Sequence, residues 1–196
     1  MNSNFTMFDT LILDPDLTVS VPKDIFFFTI SDAFFHSMEP LSGKQRNSIA
    51  DAYAFMAKKL CEEIFSLDDI QSSIGRSKAM LASYFGGIAI ANSMTALVHP
   101  FSTGLSVVLK TPHTLANCLV LIAMEEFYPE ERKIMLRALN KHDILLPKGL
   151  CSNLDKGQFE SLYKSTIVHE KPLINGLGKD FKKILTREKV REIFER

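Results

Sequence analysis

Ala79 to Val98 are twenty consecutive residues without a charge, long enough as a helix to cross a bilayer. Ser83, Tyr84, Gly86, Gly87, Asn92, Ser93 and Thr95 interrupt the run, and that is too polar and too small a surface for a lone helix facing lipid. The stretch therefore predicts a helix buried on all sides in a bundle, beginning near Ile70 and ending near Leu97. Gly86-Gly87 inside it costs about 1 kcal/mol per glycine relative to alanine. The pair predicts a neighbouring backbone passing close, with His99 emerging at the end of this central helix.

The remaining pattern is also helical. Apolar residues at threes and fours mark helices over about Lys23–Met38, Arg46–Phe65, Leu115–Phe127, Glu130–Leu139, Lys156–Val168 and Arg187–Glu195. Glu39-Pro40 is expected to end the first of these. His169 to Pro172 and Asn175 to Gly178 read as loops. In front, Phe8 to Leu13 reads as one short strand closed by Asp14-Pro15-Asp16. A single strand cannot satisfy its own edges. The expected fold is an all-α helical bundle behind that strand, with residues 1–21 as remnant strand and linker and 22–196 as the helical domain.

Charge and cysteine usage narrow the function. Lys+Arg and Asp+Glu balance at 23 each, which excludes a polybasic nucleic-acid surface as the main function. Cys61, Cys118 and Cys151 are odd in number and contain no CxxC pair. They make neither a disulfide framework nor a thiolate zinc cluster, and they favour a reducing compartment. The N-terminus lacks a signal-peptide pattern, so the triplet Asn4-Phe5-Thr6 reads as an idle glycosylation match. The expected location is the cytoplasm, away from membranes.

Three of the five histidines stand in unusual places. His36 follows Asp32 by one helical turn, so both side chains share a face. His99 and His113 lie in apolar surroundings, each beside a proline. Together they offer three imidazoles and one carboxylate, a set suited to Fe(II), Zn(II) or a related divalent ion rather than calcium. Taken singly, each also fits a helix-surface pair or a hydrogen-bonded core histidine, and from the residues alone both readings stay open. His142-Asp143 matches the dyad of metal-dependent phosphohydrolases but reads as a solvated turn, and His169 as a surface-loop residue.

Ser31-Asp32-Ala33-x-x-His36-Ser37-x-Glu39 resembles the D-A-x-x-H-x-x-E motif of the iron-containing (group III) alcohol dehydrogenases. Gly86-Gly87-Ile88-Ala89-x-x-Asn92, Leu97-Val98-His99-Pro100 and Pro112-His113-Thr114-x-Ala116-Asn117 resemble that family's later ligand segments. The resemblance implies the C-terminal domain of the dehydroquinate synthase-like fold, with Asp32, His36, His99 and His113 holding Fe(II) or Zn(II). Hydride would pass between a small-molecule alcohol and NAD(P), and the protein is expected to be able to form a homodimer. The wording around residues 13–18, 99–108 and 167–173 is most similar to the 3-deoxy-manno-octulosonate 8-oxidase type, which implies oxidation of a sugar acid's terminal hydroxyl.

Two departures qualify the resemblance. Where the family usually carries a further histidine, four residues after the third ligand, this chain has Thr103, whose hydroxyl could move a proton only through water. The glycine-rich turn that receives the cofactor pyrophosphate at a helix N-terminus is absent. The chain thus reads as the metal-binding half, with Met1 falling at an internal position of a full-length enzyme and an N-terminal α/β domain as its partner. Leu17 and Thr18 would then line the cofactor edge of the cleft or serve as ordinary linker residues. The alternative is a catalytically inactive metal-binding or interaction module.

Overall fold

The computed structural model describes residues 8–196, so the Asn4-Phe5-Thr6 triplet lies outside the described residues. A 3-10 turn at Pro15–Thr18 leads into ten helices: α1 (Lys23–Ser42), α2 (Ser48–Phe65), α3 (Ser73–Asn92), α4 (Val98–Leu109), α5 (His113–Ala123), α6 (Pro129–Lys141), α7 (Lys156–Ile167), α8 (Glu170–Leu177), α9 (Phe181–Ile184) and α10 (Arg187–Glu195). The all-α expectation is met.

The centre of the bundle is α1, not the uncharged helix. Phe26, Phe27, Phe28, Ile30, Phe34, Phe35 and Met38 leave almost no wet face on it, and α2, α3 and α5 pack around it. Such a helix is apolar nearly all round, as a core helix must be. The uncharged stretch behaves otherwise. In α3 only Gly75, Ala82, Gly86 and Ala89 are buried, and Leu81 and Tyr84 are exposed.

Four further expectations are corrected. Residues 8–13 form no strand, because the described residues contain no strand to pair with them and an unpaired strand leaves its backbone groups unsatisfied. The helix expected from Ile70 to Leu97 stops at Asn92. There the Asn92 side chain turns back to the Ile88 carbonyl at 2.9 Å and Asn47 Nδ2 donates to the Asn92 carbonyl at 2.8 Å. Helix α1 runs through Pro40 to Ser42. Proline forfeits the bond to the carbonyl four residues earlier, but Glu39 and Pro40 are buried and tied into the core. The loop expected near 169–178 is largely α8. Its Asn175, fully buried, accepts from Gln45 N–H at 2.7 Å and donates to the Met94 and Thr95 carbonyls at 3.1 Å each. One side chain thereby fixes the chain on both sides of α2 and α3, including the approach to His99.

The glycine pair divides. A Cβ on Gly86 would stand 3.1 Å from His36 Cβ and 3.2 Å from the Ala33 carbonyl, whereas one on Gly87 would meet nothing within 4 Å. Only Gly86 serves close approach, and it brings α3 against the turn of α1 that carries Asp32 and His36. Gly87 faces an apolar groove of about 640 Å³, bordered by Phe8, Leu11, Thr18, Val21, Met80 and Tyr84. No helix of the described residues is long and apolar enough to cross a membrane.

Candidate metal centre

Three helix segments converge on Asp32. On α1, His36 Nε2 stands 3.8 Å from Asp32 Oδ2. His99, in the first turn of α4, places Nε2 3.8 Å from Asp32 Oδ1. Its ring stacks on that of His36, with centroids 4.9 Å apart and planes 14° from parallel. His113, the first residue of α5, brings Nε2 to 3.6 Å from Asp32 Oδ1 and remains half-exposed. Asp32, His36 and His99 each offer an atom within 4.8 Å of the others, and His113 joins them through Asp32.

The prolines fix where these helices begin. Pro100 sits in the first turn of α4, where its missing N–H is one the helix would not have used, and Pro112 immediately precedes α5. Helix α4 has no side-chain cap of its own at Leu97. Other elements supply one. Leu97 N–H donates to Tyr128 Oη at 3.3 Å, and Val98 N–H donates to Glu39 Oε1 at 2.6 Å. The Glu39 carboxylate, fully buried, is thus the anion at the start of α4.

Glu39 also orients His99. Its other oxygen, Oε2, accepts a short hydrogen bond from His99 Nδ1, so the neutral ring carries its proton there and has its lone pair on Nε2. That Nε2 is buried and has no hydrogen-bond partner among the described residues. A buried acceptor beside a carboxylate and a second imidazole is costly when unpaired, and a divalent cation would satisfy all three groups. The donor set fits Fe(II) or Zn(II), and a carboxylate behind a ligating histidine is the usual outer support of such sites.

The imidazoles are held in different states. Burial pulls His36 below its ordinary pKa, with Asp32 opposing, and burial likewise lowers His113. Burial also works against the charged form of His99, but the Glu39 charge, its hydrogen bond and Asp32 together lift this pKa above the ordinary value.

The other candidates lie elsewhere or act locally. Thr103 Oγ1 donates to the His99 carbonyl at 2.8 Å within α4. Leu17 is 80% exposed on the 3-10 turn, while Thr18 bonds the Pro15 carbonyl and lines the groove. Neither contributes to the imidazole cluster. His142 is not a solvated turn residue: it is 1% exposed, and its Nε2 meets the Phe65 carbonyl at 3.0 Å, closing the end of α6 onto α2. His169 is half-buried at the start of α8.

Reasoning from the residues named no role for Glu39 or Asn117. Both were marked by spacing, Glu39 three residues after His36 and Asn117 four after His113, each one helical turn beyond a ligand-type histidine.

Residues 27–161 match the Fe-containing alcohol dehydrogenase family, C-terminal part. The chain is 32% identical over 116 residues to sulfoacetaldehyde reductase of Bilophila wadsworthia, covering 58% of this chain and 30% of that protein. It is 26% identical over 138 residues to a bifunctional aldehyde-alcohol dehydrogenase of Escherichia coli, covering 69% of this chain and 16% of the other. Among solved structures, sulfoacetaldehyde reductase of Bifidobacterium kashiwanohense in complex with NAD+ superposes with a TM-score of 0.76 at 20% identity, over 92% of this chain and 52% of that one. An iron-containing alcohol dehydrogenase of Thermococcus thioreducens gives a TM-score of 0.73 at 20% identity, over 93% and 53%. The chain spans about half the length of these solved relatives and less of the curated ones.

Proposed function

The chain belongs to the iron-containing alcohol dehydrogenase family, and from that premise we propose that it is the metal-holding part of an oxidoreductase that interconverts an alcohol and its carbonyl compound with NAD(P), in the cytoplasm. The observation that carries this reading is the unpartnered, buried Nε2 of His99 beside Asp32 and His36. Asp32, His36, His99 and His113 would hold the ion. A divalent ion bound there acts as a Lewis acid toward a hydroxyl or carbonyl oxygen.

The chain's own residues prepare that chemistry. Asp32 supplies the one ligand charge, and Glu39 fixes the His99 tautomer and ring direction. His36 and His113, held below their ordinary pKa, offer neutral lone pairs at neutral pH. The Thr103 hydroxyl donates to the His99 carbonyl and keeps its lone pairs for a water that would carry the substrate proton. The nicotinamide would have to lie against the same face, brought by an α/β domain of the kind found in the family. For substrate we favour a sugar acid such as 3-deoxy-manno-octulosonate, oxidised at its terminal hydroxyl, on the strength of the similarity around residues 99–108 and 167–173.

Metal analysis after anaerobic loading tests the site. We expect about one Fe(II) or Zn(II) per chain, lost in the His36→Ala, His99→Ala double variant, as expected for removal of two ligands. Unchanged stoichiometry in that variant would reject the assignment. Aldehyde formation from 3-deoxy-manno-octulosonate, compared with simple primary alcohols, tests the substrate. Faster turnover of the simple alcohols would reject the sugar acid.

A further inference from the structure

Asn117 is fully buried on α5 beside the ligand cluster. Its Nδ2 donates to Asp32 Oδ1 at 2.7 Å and stands 3.2 Å from His113 Nε2. The direction of the amide is fixed by chemistry: turned over, its oxygen would face a carboxylate oxygen, acceptor against acceptor. An amino group can only donate, so its contact with His113 requires a lone pair on Nε2 and the proton on Nδ1. Asn117 Oδ1, by contrast, is buried with no hydrogen-bond partner among the described residues.

We propose that Asn117 is a positioning residue that keeps His113 in the metal-ready tautomer and holds Asp32 Oδ1 toward it before an ion arrives. This rests on the metal-site reading above and adds a residue to it. The two amide hydrogens answer two ligand atoms on different helices, Asp32 of α1 and His113 of α5. Glu39 does the corresponding work for His99 from the opposite end, by accepting from Nδ1. One ring is set by an acceptor behind it, which leaves its Nε2 unpartnered; the other is set by a donor in front, which holds the Nε2 lone pair until a cation replaces the amide hydrogen. Preorganisation of this kind is what an outer support contributes to a metal site.

Asn117→Leu removes the unpartnered Oδ1 together with the donor to Asp32 Oδ1, two changes of opposite sign for stability, so the loss of metal affinity and not the melting temperature reads the positioning role.

The test uses the full chain and Zn(II) alone. In long-range proton–nitrogen correlation spectra of the metal-free wild type, His113 should show the Nδ1–H tautomer. In Asn117→Leu that preference should disappear, and zinc affinity by calorimetry should fall about 10- to 100-fold. An Nε2–H signature for His113 in the wild type overturns the proposal, and this measurement needs no variant to fold. A folded Asn117→Leu chain with unchanged tautomer and unchanged zinc affinity overturns it as well. A wild-type chain that binds no zinc rejects the metal-site reading instead, and the tautomer spectra still decide what Asn117 does.

Discussion

Gly86 and Gly87 differ by one position and about 100° around α3, and they look onto two opposed kinds of surface. The Gly86 side closes against Ala33 and His36, where the molecule has buried its polar groups: Glu39 and Asn117 are fully enclosed, and Asp32 is largely so. The Gly87 side opens on the groove, where apolar groups are left in solvent, with Phe8 79% and Tyr84 41% exposed. Hydropathy alone would reverse the two. Enclosure at the ligand cluster follows from paired contacts: Glu39 accepts from Val98 N–H and His99 Nδ1, and Asn117 Nδ2 donates to Asp32, with His99 Nε2 and Asn117 Oδ1 left without a partner among the described residues. The groove has no such partners and stays open. The difference shows that in this chain polarity marks the constructed region, and the uncharged part of α3 marks a boundary.

The strongest way to break that comparison is to remove the carboxylate that organises the cluster. Glu39→Leu deprives Val98 N–H and His99 Nδ1–H of their acceptor. Hydrogen bonds to a charged group contribute about 1.5–3 kcal/mol each, and a buried donor left alone costs a similar amount. We expect a stability loss of about 3 kcal/mol or more by urea denaturation, together with weaker zinc binding. A loss below about 1 kcal/mol would mean that the cluster is not held by Glu39, and the contrast with the groove would fail.

A smaller effect should come from Gly86→Val. The new side chain enters a gap already down to 3.1 Å from His36 Cβ and 3.2 Å from the Ala33 carbonyl. Overpacking of this kind typically costs about 1–3 kcal/mol. Because the displaced turn of α1 carries Asp32 and His36, zinc affinity should fall with the melting temperature. Loss of stability with full zinc affinity would show that α3 supports the bundle without setting the ligand geometry.

Much of this was legible in the chain. The run Phe26-Phe27-Phe28 and its continuation made α1 apolar, and Asp32 with His36 declared a shared face through their spacing. What escaped notice depended on partners distant in sequence. Nothing local in Asn175-Gly176-Leu177-Gly178 reveals that Asn175 answers Gln45, Met94 and Thr95; the composition reads as a loop, and tertiary contacts made it a helix. His142 read as solvated because its neighbours are polar, while its acceptor, the Phe65 carbonyl, belongs to another helix. The strand expected at Phe8 to Leu13 failed for the complementary reason, since apolar local sequence cannot supply the edge that a strand requires.

The mildest test separates the two glycines. Gly87 lies inside α3 with ordinary helical backbone, and a Cβ there would meet nothing within 4 Å. Gly87→Ala removes the excess conformational freedom of glycine from the unfolded chain and adds no clash in the folded one, so it should stabilise by about 0.4–1 kcal/mol. The added methyl projects toward the groove and away from His36, so zinc affinity should not change. Thermal melts and zinc calorimetry on the same protein read both quantities. A destabilised Gly87→Ala, or one with weakened zinc binding, would place packed backbone on the groove side and join the two glycines into a single close-approach pair. A stabilised variant with native zinc affinity, set beside a destabilised Gly86→Val, would assign the close approach to Gly86 alone and put the boundary between constructed and open surface within one residue of α3.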